Sequence, residues 1–100
     1  MAYRTENPAT GVVEQEFTSL TDADVARAVE RADAAFTSWR KTPAEQRAAA
    51  LAAVADAFQE RGDELARVIS TEMGKPFAQA QGEVALSSSI YRWYADHGPA

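Results

Sequence analysis

Apolar and polar residues follow two different periods along the chain. Between residues 12 and 17, Val13, Gln15 and Phe17 alternate with Val12, Glu14 and Glu16, the two-residue period of a β-strand. Ahead of them stands Asn7-Pro8-Ala9-Thr10-Gly11. Pro8 presets the second position of a tight turn, and Gly11 can take the left-handed conformation that follows. With Tyr3-Arg4-Thr5 on the other side, the pattern predicts a β-hairpin over 3–18. Two strands are too few to be stable by themselves, so this hairpin must pair with or pack on something else.

From Thr21 the period becomes helical. Thr21-Asp22-Ala23-Asp24 resembles a capping box with Asp in place of Glu, and Val25, Val29, Ala32, Phe36 and Trp39 fall on one face of a helix over 22–40. Thr42-Pro43-Ala44-Glu45 supplies a cap, a proline in the first turn and an acidic third position, opening a helix over 43–61. Its stripe of Leu51, Ala55 and Phe58 continues past Gly62 to Leu65, Val68 and Ile69. Gly62-Asp63 within that stripe reads as a stop followed by a new cap, which separates a third helix over 63–73. A fourth spans 76–97. There Phe77, Ala80, Val84, Ser88, Tyr91 and Ala95 form the inward stripe, while Gly82, Leu86, Ser89 and Trp93 lie opposite. The fold class expected is α+β, mostly α: a hairpin followed by three to four helices.

Thr71-Glu72-Met73-Gly74-Lys75-Pro76 could be a phosphate cradle, carry a reactive lysine, or join two helices. A P-loop needs glycine five residues before Gly74, where Ile69 stands, and Ser or Thr after the lysine, where Pro76 stands. No neighbour in sequence would activate Lys75 as a nucleophile. Gly74 suits the left-handed residue past a helix end, Lys75 the negative pole of that helix, and Pro76 the first turn of the next. The segment reads as a helix joint.

Composition narrows the chemistry further. The apolar fraction is 46%, and almost half of those residues are alanine, so the core available to 100 residues is thin. A net charge of −5 argues against nucleic-acid or anionic-membrane partners. There is no cysteine, hence no disulfide, thiolate metal site or thiol nucleophile. Without an apolar h-region or a run of 18 apolar residues, the chain reads as soluble and cytoplasmic. His97 has no second metal ligand at a suitable spacing. Ser87-Ser88-Ser89 lacks a nucleophile-elbow glycine pattern and reads as helix-packing residues. Glu72 and Glu83 are single carboxylates, and Trp39, Trp93 and Tyr94 fall at packing positions. The residues themselves specify a hairpin, helices and no catalytic group.

In series, "NPATGVV", "AFTSWRKTPAEQRAAAL", "ADAFQERGDELARVISTEMGKP" and "GEVALSSSIYRWYADHG" resemble the N-terminal segment of the NAD(P)-dependent aldehyde dehydrogenases over essentially the whole chain. The "RWYADHG" ending is most similar to that of succinate-semialdehyde dehydrogenases. The resemblance implies the N-terminal part of an α/β, Rossmann-like fold, with residues 1–100 forming a layer on the cofactor-binding domain. It implies oxidation of an aldehyde, for which succinate semialdehyde is the expected substrate, to the acid through a cysteine thiohemiacetal, with hydride passing to NAD or NADP. The thiol, the cofactor site and the oligomerisation region lie downstream in the family, so these residues alone are expected to be inactive and the full-length enzyme to be a homo-oligomer. Counting back from Arg92, the resemblance places Gly82 and Leu86 on the wall of the substrate tunnel. It also implies a structural monovalent cation held by carbonyls before the Asn-Pro turn and by an acidic residue ahead of Gly-Lys-Pro. Those positions are Thr5, Glu6 and Glu72, with Glu where the family more often has the shorter Asp. The competing expectation is a self-contained, acidic helical module that binds a partner and catalyses nothing.

Overall fold

A computed structural model describes residues 3–100. The order of elements is β1 (Tyr3–Glu6), β2 (Val13–Phe17), α1 (Asp22–Trp39), α2 (Ala44–Glu60), α3 (Gly62–Met73) and α4 (Phe77–His97). The strands pair antiparallel, Tyr3 opposite Phe17 and Thr5 opposite Gln15, with a register shift between Thr5 and Glu6. The connecting turn forms as its residues dictate. The Asn7 carbonyl accepts from the Thr10 and Gly11 amides, its side-chain oxygen accepts from the Ala9 amide at 2.9 Å, and Gly11 takes φ 71°.

α1 begins with the expected capping box. Thr21 Oγ accepts from the Asp24 amide at 3.2 Å, and the Asp24 carboxylate accepts from the Thr21 amide at 3.0 Å. At the start of α2 the sequence reading needs correction. Pro43 itself is the N-cap, and no side chain, Thr42 included, caps the helix. Proline has no amide hydrogen of its own to satisfy, and the first turn closes through the Pro43 carbonyl, which accepts from the Gln46 and Arg47 amides at 3.1 Å.

The break between α2 and α3 lies where the stripe is interrupted, but not by the expected device. Arg61 makes the turn at φ −101°, ψ 18°, while Gly62 keeps a negative φ and is the first residue of α3. Asp63 lies in the first turn of α3 rather than capping it. Arg61 is held instead by its side chain, which donates twice to the Glu64 carboxylate, at 2.9 and 2.6 Å.

α2, α3 and α4 form the packed part. Ala55, Ala66 and Ala80 are fully buried, and Val84 nearly so, with Phe58, Leu65 and Ile69 around them. Alanine at these crossings lets the helix axes approach closely, at the cost of little apolar area per residue. Ala66 was outside the stripe read from sequence, and Val68, inside it, is exposed. β1 packs on α3, and Gly74 lies against Pro8.

α1 departs from expectation most. Val25, Val29, Phe36 and Trp39 share a face as predicted, yet all are exposed, and among the described residues no other element packs on α1. The molecule measures 47 × 40 × 16 Å, with a radius of gyration of 17.6 Å. A compact domain of this length has a radius of roughly 13 Å. Its surface of 7641 Å² likewise exceeds the roughly 5,500 Å² of a compact protein of this mass. The fold is a slab with apolar faces that nothing among these residues covers.

Candidate functional site

The helix joint forms as its residues require. Gly74 ends α3 at φ 71°, ψ 17°, its amide donating to the Ser70 carbonyl, and Pro76 stands immediately before α4. Lys75 reaches across the joint to pair with Glu83 in α4. A lysine so engaged, in a segment without the glycine spacing of a P-loop, gives no phosphate cradle. The joint sets the direction of α4, and α4 carries the candidate site.

α4 presents two faces of unlike character. Ala80, Val84, Ser88 and Ala95 are buried against α2 and α3. Phe77 and Tyr91, assigned to the same stripe, sit at its margin and remain partly exposed; the Tyr91 ring packs on Phe58 at 5.5 Å. On the opposite side Leu86 is 61% exposed and Trp93 54%. A side chain at Gly82 would meet nothing within 4 Å. Gly82 and Leu86 thus fall one turn apart on an open face, with room beside the glycine. His97 closes the helix by stacking on Trp93 at 4.5 Å, its Nδ1 2.7 Å from the Trp93 carbonyl oxygen.

Three side-chain contacts between distant residues link α4 to α2 and α3, and sequence reading missed all three. Gln81 donates to Asp63 at 2.8 Å, Ser88 donates to the Ala55 carbonyl at 2.8 Å, and Arg92 pairs with Asp56. The partners are 18, 33 and 36 residues apart, beyond any local periodicity.

The second candidate group is brought together only in part. β1 with Thr5 and Glu6 lies on α3, whose last turn bears Glu72. The Thr5 hydroxyl is buried without a hydrogen-bond partner, as is that of Ser70. The Glu6 carboxylate pairs with Arg4 at 3.0 Å, whereas the group expected to face the cation is the Glu6 backbone carbonyl. No cluster of three metal-ligating His, Cys, Asp or Glu side chains occurs among the described residues.

The sequence profile described as the aldehyde dehydrogenase family matches residues 1–100. The chain belongs to the aldehyde dehydrogenase family. It is 42% identical over 98 residues to the NADP(+) succinate-semialdehyde dehydrogenase of Deinococcus radiodurans, covering 98% of this chain and 20% of that one. To the glutarate-semialdehyde dehydrogenase of Pseudomonas putida it is 41% identical over 90 residues, 90% of this chain and 19% of the other. The crystal structure of succinic semialdehyde dehydrogenase from Streptococcus pyogenes with NADP+ superposes with a TM-score of 0.89 at 40% identity, covering 95% of this chain and 21% of that one. The chain therefore spans about a fifth of the length of these aldehyde dehydrogenases. Its hairpin and four helices are the family's fold in this region, as the sequence implied. Across the described residues no helix is long and apolar enough to cross a membrane.

Proposed function

We propose that this chain forms the N-terminal layer of an NAD(P)-dependent aldehyde dehydrogenase that oxidises succinate semialdehyde, or a close ω-carboxy aldehyde, to the acid. The observation that carries the reading is the family match along the whole chain together with the semialdehyde dehydrogenases among its relatives. The residues present do not themselves fit a dinucleotide: the single Gly-Lys pair is a helix joint, and Lys75 is engaged by Glu83. The cofactor is held by residues beyond these hundred. So is the thiol that forms the thiohemiacetal, since the chain has no cysteine. The uncovered face of α1 supports a layer that packs on a larger body and speaks against a self-contained partner-binding module.

Within that enzyme, Gly82 and Leu86 line the entrance by which the aldehyde reaches the thiol. Their open face on α4 supports this, as does the space beside Gly82. In the full-length enzyme, Leu86→Trp lowers kcat/KM for the wide 4-carboxybenzaldehyde about ten- to thirtyfold more than for succinate semialdehyde, the factor that about 1.4 to 2 kcal/mol produces. Both probes carry one carboxylate, so they differ chiefly in width. Equal losses for the two, or a lowered melting temperature that accounts for the loss, would return Leu86 to ordinary packing.

The buried, unpartnered Thr5 hydroxyl on a strand packed against α3 supports a monovalent cation held there by Thr5, Glu6 and Glu72. If so, replacing sodium or potassium by tetramethylammonium lowers the melting temperature of the wild-type enzyme and not that of the Glu72→Gln variant.

A further inference from the structure

Of the three long-range side-chain ties that link α4 to α2 and α3, two are in solvent. Arg92 and Asp56 are 41% and 57% exposed, and the Gln81–Asp63 bond is exposed as well. Such contacts exchange readily for water and contribute little to position or stability.

The Ser88 bond differs in kind. Ser88 is 2% exposed and Ala55, its partner across the α2–α4 crossing, is fully buried. The hydroxyl donates to the Ala55 carbonyl at 2.8 Å in a place water does not reach. A mid-helix carbonyl already accepts the amide four residues on, and the hydroxyl takes its second lone pair. If α4 slipped along α2 by one turn, Val84 or Arg92 would stand over Ala55. Neither is small enough for that contact, and neither carries a hydroxyl.

We infer that Ser88 is the positioning residue of α4: its hydroxyl fixes the register of α4 on α2, and thereby where Gly82 and Leu86 stand. The link to aldehyde selection rests on the entrance role proposed above. Ser88 and Leu86 are two residues apart on opposite sides of a regular helix, so a shift or roll at Ser88 passes directly to Leu86.

The test uses the full-length enzyme with Ser88→Ala, which removes the donor without adding volume, and Ser88→Cys, which keeps a weak one. Succinate semialdehyde and 4-carboxybenzaldehyde are the probes, the latter read as a competitive inhibition constant if it is not turned over. The Ser88→Ala variant loses at least about threefold of its preference for the narrow aldehyde, through KM, with kcat for succinate semialdehyde within about twofold of wild type. Ser88→Cys falls between. Combined with Leu86→Trp, the effects do not multiply, because both act at one wall. The same factor for both aldehydes, or effects that multiply, would leave Ser88 a packing residue and overturn the inference. If Leu86→Trp alone leaves the preference unchanged, the entrance reading has failed, and crystal structures then decide the register. A shift of α4 against α2 in Ser88→Ala upholds the inference; an unmoved α4 overturns it.

Discussion

Gly74 and Gly11 have the same φ of 71° but different surroundings, which separates two costs of substitution. At Gly11 a Cβ meets nothing within 4 Å, so Gly11→Ala bears only the left-handed backbone strain, roughly 1–2 kcal/mol. At Gly74 a Cβ lies 2.9 Å from Pro8 Cγ, and the hairpin must move away from α3 to admit it. Gly74→Ala therefore costs more, about 3 kcal/mol, at the upper end for a strained residue. Urea midpoints of the two variants check the order, and equal losses would mean that the contact with Pro8 is slack. A residue-scale pH effect belongs to α1. Hydrogen bonds from the Thr21 side chain, then from its backbone amide, hold the Asp24 carboxyl below the ordinary carboxylate range. A carboxyl lowered in the folded state stabilises above its unfolded pKa, and the contribution is lost as pH falls through the folded value. Helical circular dichroism should thus drop with acid more steeply in the wild type than in Asp24→Asn.

At the scale of elements, α1 offers the sharpest test of what the slab lacks. Its apolar face is exposed in this segment, so Val29→Asp there should change the stability of the 100-residue chain by under about 0.5 kcal/mol, as at an ordinary surface site. In the full-length enzyme the same substitution should cost about 2–3 kcal/mol, because burying a valine contributes that much and burying a charge is worse. Equal small effects in both would show that the face stays bare. The same element shows how much was legible from sequence. Periodicity found the α1 stripe and the stripe of α4, because side-chain spacing on a helix is a local property. It could not say that α1 would have no partner, since that depends on residues outside the segment. Turn chemistry found the Asn7–Gly11 turn and the Gly74 joint, where one conformation suits one residue type. It misjudged Gly62, since glycine permits a left-handed turn without requiring it and Arg61 made the bend instead. Gly82 and Leu86 came from family resemblance, and the ties at Ser88, Arg92 and Gln81 from the three-dimensional structure alone.

For the whole molecule, the excess surface and the flat shape follow from an alanine-rich core that joins three helices and leaves α1 and the hairpin face open. A thin layer of this kind is stabilised by what it packs on, and in the function proposed above that body is the rest of an aldehyde dehydrogenase. The most direct measurement is nicotinamide reduction, followed by absorbance, for the full-length protein and for the 100-residue segment, each with succinate semialdehyde and either NAD or NADP. The account predicts turnover by the full-length protein and none by the segment, which lacks a thiol. Turnover by the segment, or no turnover by the full-length protein with succinate or glutarate semialdehyde and either cofactor, would contradict it.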